Sequence, residues 1–412
     1  MKITFVGLNY APDLVGIAPY NVRLCDYFVE RGHNVLVITG FPYYPSWKKN
    51  KADRWTFYRK GRGRKRFLIR SYVYVPSKVT VFRRILHELS FTLAAMVPAI
   101  FTRKPDLIYV VSPPLSLGIF GIIVSRLRRV PFVLQVNDLV PDTAVVLHFL
   151  HNRFIIKVLY MLEKMVYTNA TLISVVSQSM RDNLVAKGVP EDKITVRYDF
   201  VDVKKLQPAA GNNPFRAELG LAGKFIILHS GNMGQKMGLE IILEAAKKCM
   251  GNPRYADFQF LLVGDGVSRP YLLEKAEEYK LNNVTFLPLQ PVQRLPQMIS
   301  AADIALVVLR EGVKDICFPG KLLTYMACAT PVIASVDEES ETAIQLKKVQ
   351  GGLITRPGSA DELLKAIVKL KTDARLRRKL GENGRRGISR YFEKYTVLDT
   401  FHDRLMKAVK GE

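Results

Sequence analysis

Two lysines in the second half of the chain stand where their charge could bind phosphate. Lys236 follows the small-residue loop SGNMG. Lys321 lies in PGKLLTYM, in the first turn of a predicted helix in which Pro319 can be the first residue. Backbone N–H groups at the start of a helix attract anions, and a lysine beside them adds a full positive charge. We therefore predict that Lys236 and Lys321 bind one diphosphate, together with Gly231 and Asn232. For the SGNMG segment alone, the alternative is a tight turn of any α/β domain with an exposed lysine.

One carboxylate stands out in the first half of the chain. Asp138 comes directly after a predicted buried strand at residues 132–136, so we expect its side chain at the edge of a sheet, facing a cleft. The alternative role is an N-cap of the following segment. Gly16, in the loop after the first strand, allows a close approach of the backbone to a ligand.

These residues must be positioned by strands, and the hydrophobic pattern of the sequence predicts a set of strands in each half of the chain. Short apolar runs alternate with helical patterns such as 19–31 and 237–250. This order implies parallel pairing, and ligands collect at the carboxyl ends of parallel strands. The predicted strands are residues 2–8, 34–39, 66–75, 107–112, 132–136, 171–176 and 194–198, then 225–229, 258–263, 284–287, 304–309, 331–335 and 352–355. The fold class is α/β, with a doubly wound sheet in each half.

Length and charge set further bounds. A chain of 412 residues suits two domains, and the turn-rich QPAAGNNP separates them. We predict domains at residues 1–205 and 206–385, with a C-terminal helix at 386–412 that returns to the first domain.

The net charge of +24, from 61 Lys and Arg against 37 Asp and Glu, calls for phosphate ligands, nucleic acid or an acidic membrane as partner.

The compartment predicted from the sequence is the cytoplasm. Cysteines occur singly, without a paired motif or nearby histidines, which favours a reducing compartment and argues against structural zinc. They are Cys25, Cys249, Cys317 and Cys328. The start MKITFVGLNYAP predicts a strand rather than a signal peptide. Residues 85–101 form the most apolar helical stretch, which is shorter than the roughly 20 residues that a membrane span needs.

A basic and aromatic region predicts attachment to a membrane surface. Residues 48–70 hold eleven Lys and Arg and one acidic residue, interleaved with Trp55, Phe57 and Tyr58. Residues 81–104 follow as an apolar helix with basic residues at both ends. We expect this region to bind an anionic membrane surface, at the inner face of the cytoplasmic membrane. The alternatives are a solvated loop and a helix buried in the core of the domain.

Several segments together resemble glycosyltransferase family 4. In the second half they are SGNMGQKMGLE, VGDG, NVTFLPLQPVQRLPQMISAADIALVVL and PGKLLTYMACATPVIAS, which are similar to the donor half of that family. In the first half, NYAPDLVGIAPY, VSPPLSLG and QVNDLVPDTAV resemble its branch for bacterial exopolysaccharide and O-antigen. The resemblance covers essentially the whole chain. It implies the GT-B fold, two Rossmann-like domains facing a central cleft, a nucleotide-sugar donor and a lipid-linked oligosaccharide acceptor.

Carried over position by position, the resemblance implies a role for each candidate residue. Lys236 and Lys321 bind the donor phosphates, and Gly16 lets the first loop approach them. Asp138 takes the place of a catalytic or acceptor-side residue, so Asp138 and Lys236 are the catalytic candidates. The further donor-binding candidates are Gly231, Asn232, Gly264, Asp265, Gly266, Leu287, Pro288, Leu289, Leu322 and Thr324.

The chain departs from the family pattern at two places. Asn232 stands where many members have a phosphate-binding arginine, and Ile316 and Thr324 stand where the two glutamates of an E-x7-E motif would be. The second glutamate grips the ribose in many members. A threonine hydroxyl makes weaker hydrogen bonds than a carboxylate, so we expect looser recognition of the ribose.

The resemblance implies retention of configuration by front-face attack, with a donor phosphate oxygen helping to take the acceptor proton. The chain has no D-x-D triplet, so we expect no metal and no cofactor, and we expect the lysines to neutralise the leaving diphosphate.

A sugar-nucleotide epimerase of the same two-domain fold is the main alternative function. A nucleic-acid-binding protein fits the charge but has no recognised module, and a nicotinamide dehydrogenase would need the missing G-x-G-x-x-G.

Overall fold

The computed structural model describes residues 1–13, 16–44, 46–63, 66–78, 80–146, 150–209, 213–313 and 319–411. The chain folds as two compact units. Unit 1 is Met1–Tyr198 with Leu398–Glu412, and unit 2 is Asp199–Val397. The division after Tyr198 precedes the predicted one by a few residues. The segment that rejoins unit 1 begins at Leu398, later than the predicted 386.

Unit 1 alternates strands and helices along most of its length. Its elements are β1 Lys2–Gly7, α1 Ala18–Glu30, β2 Asn34–Gly40, β3 Tyr58–Gly63, β4 Arg66–Ser71, α2 Val81–Phe101, β5 Leu107–Ser112, α3 Ser116–Arg128, β6 Phe132–Val136, α4 Val140–Val146, α5 Arg153–Asn169, β7 Leu172–Val175, α6 Gln178–Ala186 and β8 Ile194–Val196. The sheet order is β3-β4-β2-β1-β5-β6-β7-β8. Every residue of β5, β6 and β7 is buried, as expected for parallel strands covered on both faces.

The basic run at residues 48–70 is not a simple loop. Strand β3, which the sequence did not predict, pairs antiparallel with β4 over its whole length, from Tyr58↔Ser71 to Gly63↔Arg66. Its sequence YRKGRG has weak strand propensity, so the pairing with β4 rather than local preference forms this strand. The Arg66 guanidinium donates to Asp26 and Arg70 donates to the Gly40 carbonyl at 3.0 Å. Part of the predicted membrane-binding charge therefore has a structural role.

Helix α2 lies within the predicted helix at residues 81–104 and is longer than the apolar stretch at residues 85–101. With 21 residues it is long and apolar enough to cross a membrane, by length and composition alone. The expectation that it is too short to span is therefore wrong. One face is buried against α3 and the sheet through Phe91, Ala95 and Ala99, whereas Phe82, Leu93 and Phe101 on the remaining surface are exposed. Helix α2 therefore carries apolar side chains both on its buried face and on its exposed face.

Unit 2 contains a six-stranded sheet in which all pairs are parallel. Its elements are α7 Pro214–Glu218, β9 Phe225–Asn232, α8 Glu240–Cys249, β10 Phe258–Asp265, α9 Arg269–Glu278, β11 Val284–Leu287, α10 Leu295–Ser300, β12 Ile304–Val308, α11 Lys321–Ala327, β13 Val332–Ser335, α12 Glu341–Val349, β14 Gly352–Thr355, α13 Ala360–Thr372, α14 Ala374–Tyr391 and α15 Lys394–Lys410. The last of these continues into unit 1. The strand order is β11-β10-β9-β12-β13-β14.

The predicted fold class is confirmed, since both units are α/β, with a parallel sheet in unit 2 and a sheet in unit 1 that is parallel except for the β3–β4 pair. In each sheet the strand order reverses beside the first strand, between β1 and β5 in unit 1 and between β9 and β12 in unit 2. Crevices for ligands form at such switch points, at the carboxyl ends of the strands. Cys25, Cys249 and Cys328 are buried free thiols, and Cys317 lies outside the described residues.

Candidate active site

The two predicted phosphate-binding lysines flank the switch point of unit 2. Lys236 lies in the 3-10 turn Gln235–Met237 after β9, and Lys321 is the first residue of α11, in the connection after β12. The Lys321 Nζ lies 3.9 Å from the Met237 sulfur, which places the Lys321 charge beside the turn that carries Lys236. The structure thus brings Lys321 next to the turn that carries Lys236, although the two residues are distant in sequence.

The side chain of Lys321 lies across the backbone at the end of β9. A Cβ added to Gly231 would stand 3.5 Å from the Lys321 Cε and 3.6 Å from its Nζ, and Gly231 has a φ of +123°. A larger residue would therefore be strained here, whatever space it had. Gly231 belongs to β9, together with Asn232, so neither lies in the loop where the sequence analysis placed them.

His229 lies directly beneath this lysine. Its ring is completely buried in β9, and its Nε2 is 3.3 Å from the Lys321 Nζ. Burial, reinforced by the charge of Lys321, holds the pKa of His229 well below its usual value. The ring is therefore neutral at pH 7, and its Nε2 accepts a hydrogen bond from the ammonium group. This contact orients Lys321 without adding a second charge.

Tyr325 anchors the helix of Lys321 to the same strand. Its hydroxyl accepts a hydrogen bond from the Ser230 N–H at 2.7 Å and donates to the Ser230 carbonyl at 3.1 Å. Tyr325 is buried, and it follows Lys321 by four residues, so both side chains leave the same face of α11. The sequence analysis missed Tyr325 and His229. The four-residue spacing from Lys321 was a signal for Tyr325, whereas His229 gave none.

The glycine turn after β10 packs against the end of β9. A Cβ on Gly264 would lie 1.9 Å from the Gly231 carbonyl oxygen, so only glycine fits. The Met233 N–H donates to the Asp265 carbonyl at 2.9 Å, and the Asp265 carboxylate accepts from the Gly266 N–H at 2.8 Å. These contacts fix the backbone around Asn232. The role of Gly264, Asp265 and Gly266 in binding the donor stays a prediction.

Two local expectations about helix starts are wrong. The helix predicted from 237 begins at Glu240, because Gly238 adopts a left-handed conformation and separates the 3-10 turn from α8. Lys236 thus precedes the helix rather than beginning it. Pro319 is not the first helical residue either, since Gly320 occupies the N-cap position and Lys321 begins α11.

The remaining donor-binding candidates lie on α11 and at the end of β11. The Thr324 hydroxyl donates to the Lys321 carbonyl at 2.9 Å, which leaves its oxygen as an acceptor. Leu322 is fully buried, so only its backbone could contact a ligand. Leu287 ends β11, and Pro288 and Leu289 follow; β10 lies between this strand and β9. Ile316, the other position of the E-x7-E motif, lies outside the described residues.

The candidates of unit 1 lie at the carboxyl edge of its sheet. Asp138 is half-buried between β6 and α4; since α4 begins at Val140, the N-cap position falls on Leu139. Gly16 lies in the loop between β1 and α1 and has a left-handed φ of +66°. Both residues stand where parallel strands present ligand-binding loops.

Asp13 is a carboxylate that the sequence analysis missed. It is buried after β1, and its Oδ2 accepts a hydrogen bond from the Asn9 side chain at 3.3 Å. Burial raises the pKa of Asp13 to about 6, although Asn9 and Arg70 favour the charged form. In the part of the chain that the structure describes, no cluster of three or more His, Cys, Asp or Glu side chains could hold a metal ion.

Comparison with known proteins assigns a family to both units. The model of the glycosyl transferase 4-like domain matches residues 15–198, and the model of glycosyl transferases group 1 matches residues 212–387. The putative colanic acid biosynthesis glycosyl transferase WcaI of Escherichia coli is 29% identical over 376 residues, which cover 89% of this chain and 91% of WcaI. The D-inositol 3-phosphate glycosyltransferase of Nocardia farcinica is 27% identical over 53% of this chain and 49% of that protein.

Solved structures share the fold over the whole length. The sucrose-phosphate synthase of Thermosynechococcus elongatus superposes with a TM-score of 0.78 at 19% identity, covering 100% of both chains. HepE of Anabaena, solved in complex with UDP, gives a TM-score of 0.71 at 19% identity, covering 99% of this chain and 100% of HepE. Their two-domain α/β fold is the GT-B fold of glycosyltransferases. This chain is accordingly a glycosyltransferase of family 4, with the 4-like domain in unit 1 and the group 1 domain in unit 2.

Proposed function

We propose that this glycosyltransferase moves a sugar from a UDP- or GDP-linked donor to a lipid-linked saccharide in the assembly of cell-surface polysaccharide. The observation that carries the proposal is the pair Lys236 and Lys321 at the switch point of the group 1 domain. Support for the donor class comes from HepE, which binds UDP and UDP-glucose in its crystals. Support for the pathway comes from the likeness to WcaI, which is named for colanic acid biosynthesis.

The proposed chemistry rests on neutralising the leaving group. When the bond between sugar and diphosphate breaks, negative charge develops on the diphosphate oxygens, and positioned cations stabilise it. Lys321, oriented by neutral His229, and Lys236 supply that charge, so the proposal needs no metal ion. Attack from the same face would retain the anomeric configuration. Asp138, at the carboxyl edge of unit 1, is the proposed acceptor-side residue.

A lipid-linked acceptor requires access to a membrane, and unit 1 offers a suitable surface. We define the apolar face as the exposed apolar side chains of α2, α3 and α5, three helices that pack in that order. Its members include Phe82, Leu93, Phe101, Leu127, Phe154 and Met161. Monomeric soluble proteins rarely expose so many large apolar side chains together.

Charge around the apolar face favours an anionic surface. Arg83 and Arg84 lie in the first turn of α2, and Arg103 and Lys104 follow its end. The exposed Trp55 and Phe57 lie in the basic segment before β4. Tyr58 does not join them, since its hydroxyl donates to the Ala94 carbonyl of α2 at 3.0 Å. We propose peripheral binding to the inner face of the cytoplasmic membrane, with the apolar face inserted and the basic side chains among the lipid headgroups.

A donor and acceptor screen tests the proposed reaction. The purified protein is incubated with radiolabelled UDP- and GDP-sugars, with and without a polyprenyl-diphosphate-linked monosaccharide. We expect label in the lipid fraction from one donor and little release of free sugar without acceptor. Conversion of the free nucleotide sugar to an epimer, with no acceptor present, would favour the epimerase alternative instead.

A further inference from the structure

A chain of buried polar side chains crosses the sheet of unit 1 and ends at its carboxyl edge. It joins Arg197, which follows β8, to Gln135 of β6, Asn137 and the carbonyl of Ser112 at the end of β5. Arg197 and Gln135 are both buried. Burying such groups is costly unless their hydrogen bonds are satisfied, so their arrangement calls for an explanation.

In this series of hydrogen bonds, each side chain donates to the next one. The Arg197 Nε donates to the Gln135 Oε1 at 3.1 Å, and the Tyr109 hydroxyl donates to the same oxygen at 2.8 Å. The Gln135 Nε2 then donates to the Asn137 Oδ1 at 3.2 Å. Finally, the Asn137 Nδ2 donates to the Ser112 carbonyl at 3.2 Å.

The Arg197 guanidinium fixes the orientation of the amide groups of Gln135 and Asn137. A guanidinium can only donate, so the Gln135 oxygen must face Arg197 and its amide nitrogen must face Asn137. Asn137 must then present its oxygen to Gln135 and its nitrogen to Ser112. The backbone N–H of Asn137 also donates to the Ser112 carbonyl, at 2.9 Å. The connection after β6 is thereby held to the connection after β5.

We infer that Gln135 and Arg197 are positioning residues for the carboxyl edge of unit 1, where they hold the loops that begin after Ser112 and Val136. Asp138, the proposed acceptor-side residue, follows Asn137 directly. The inference rests on the proposed function in one respect, because the edge matters to catalysis only if it receives the acceptor. The positioning itself is a property of the fold and can be measured without turnover.

The substitution Gln135→Glu separates positioning from stability. The introduced carboxylate still accepts from Arg197 and Tyr109, and it pairs with a buried cation, so the fold should persist. Its second oxygen would meet the Asn137 oxygen, and Asn137 must turn its amide nitrogen towards it. The Asn137 oxygen then faces the Ser112 carbonyl, so the side-chain hydrogen bond between the two loops is lost and only the backbone hydrogen bond remains. Gln259→Glu is the matched control, since Gln259 is a buried strand glutamine in unit 2 that donates to the Thr285 hydroxyl at 3.0 Å.

Hydrogen–deuterium exchange of the full-length protein tests the positioning. We expect the amides of residues 115–118 and 137–139 to exchange at least fivefold faster in Gln135→Glu, with unchanged exchange in β9 and in the Gln259→Glu control. Asn137→Ala should give the same effect, and adding it to Gln135→Glu should change nothing further. Unchanged exchange of both loops in Gln135→Glu would overturn the inference.

Steady-state kinetics test the consequence for the reaction, with the polyprenyl-diphosphate-linked monosaccharide as acceptor probe. Gln135→Glu should lower kcat/KM for this acceptor at least tenfold and leave KM for the donor unchanged. Faster loop exchange with wild-type kcat/KM would refute a role in positioning the acceptor. If the wild-type protein transfers no sugar to the probe, the proposed function fails, whereas the exchange result still decides the positioning.

Discussion

The contacts of Lys321 hold its charge at one place. Its ammonium group donates a hydrogen bond to the neutral ring of His229, and its aliphatic chain passes over Gly231 at the end of β9. A cation held in this way needs little reorganisation when a diphosphate leaves, which is the condition for strong electrostatic catalysis. Lys236, in the adjacent turn, is the second cation of the proposed site.

Lys321→Ala and Lys236→Ala should each lower turnover by one to several orders of magnitude, because each removes about 2–4 kcal/mol of transition-state stabilisation. Initial rates at saturating donor measure the effect. Lys224→Ala is the matched control, since the Lys224 Nζ donates to the Ala256 carbonyl at 3.0 Å, near the start of β9. Near wild-type turnover in either site variant would remove that lysine from the donor site.

Asp138→Asn should lower kcat and leave the affinity for the donor nucleotide unchanged, because the proposed role of this carboxylate is towards the acceptor. Asp106→Asn is the control: the Asp106 carboxylate accepts from the Lys2 N–H at 2.7 Å, near the start of β1. Comparing kcat with a nucleotide titration separates the two effects. Wild-type kcat in Asp138→Asn would leave Asp138 with a structural role only.

At the scale of elements, α4 is held in place by a partly buried ionic cluster in which Glu163 is the buried member. The Lys187 Nζ lies 2.5 Å from the Asp142 Oδ2 of α4 and 2.9 Å from the Glu163 Oε2 of α5. The Tyr167 hydroxyl donates to the other oxygen of Glu163 at 2.8 Å. Burial raises the pKa of Glu163, which shows that the carboxylate depends on its partners for its charge.

Lys187→Met should lower the free energy of unfolding by about 3 kcal/mol, because it leaves a buried carboxylate without its cation. Urea denaturation measures this loss. Lys193→Met, which removes an exposed ammonium that donates to the Thr168 carbonyl, should cost less than about 1 kcal/mol. Equal midpoints for wild type and Lys187→Met would show that the cluster adds nothing to stability.

The sequence predicted the elements better than their contacts. Strands β5, β6, β11 and β14 have the predicted bounds. Continuous apolar runs mark β5 and β6 as buried parallel strands, whereas β11 and β14 are half-buried strands at the two edges of their sheet. Strand β9 extends through Gly231 and Asn232 because it pairs with Gly264 and Asp265 of β10, which local glycine propensity does not signal. Likewise, the bonds from Lys321 to His229 and from Ser230 to Tyr325 join residues 92 and 95 positions apart. Such contacts depend on the packed fold and not on a local pattern.

At the scale of the whole molecule, buried neutral histidines make stability depend on pH. Burial lowers the pKa of His33 and of His87 to about 4, and it also holds the pKa of His229 well below its usual value. Below pH 6.5 the unfolded chain binds protons at these rings and the folded chain does not, so stability falls as pH falls. Asp13, with its pKa raised to about 6, acts in the opposite direction and offsets part of the loss.

Stability should therefore drop between pH 8 and pH 5.5, by up to about 1.4 kcal/mol for each of the three histidines. Urea midpoints at the two pH values measure the drop. His87→Gln should reduce the difference between the two midpoints by about a third. Equal midpoints at pH 8 and pH 5.5 would contradict the assignment of neutral, buried rings.

The apolar face predicts reversible membrane binding by the whole protein. The protein should sediment with phosphatidylglycerol vesicles at low salt, because each basic residue near an anionic surface contributes about 1 kcal/mol, and it should be released at high salt. Leu93→Ser with Phe101→Ser should abolish sedimentation. The control is Val267→Ser in unit 2, since Val267 is as exposed as Leu93, at 68% against 69%. Sedimentation of the double variant at the wild-type level would exclude α2 as the site of attachment.

Binding of a nucleoside diphosphate is the most direct test of the proposed donor site around Lys321. Isothermal titration of UDP and of GDP into wild type, Lys321→Ala and Lys224→Ala requires no knowledge of the sugar or the acceptor. We expect the wild type to bind at least one of the two nucleotides, Lys321→Ala to weaken this binding at least tenfold, and Lys224→Ala to leave it unchanged. Binding of neither nucleotide by the wild type, or equal affinity in Lys321→Ala, would contradict the proposed donor site.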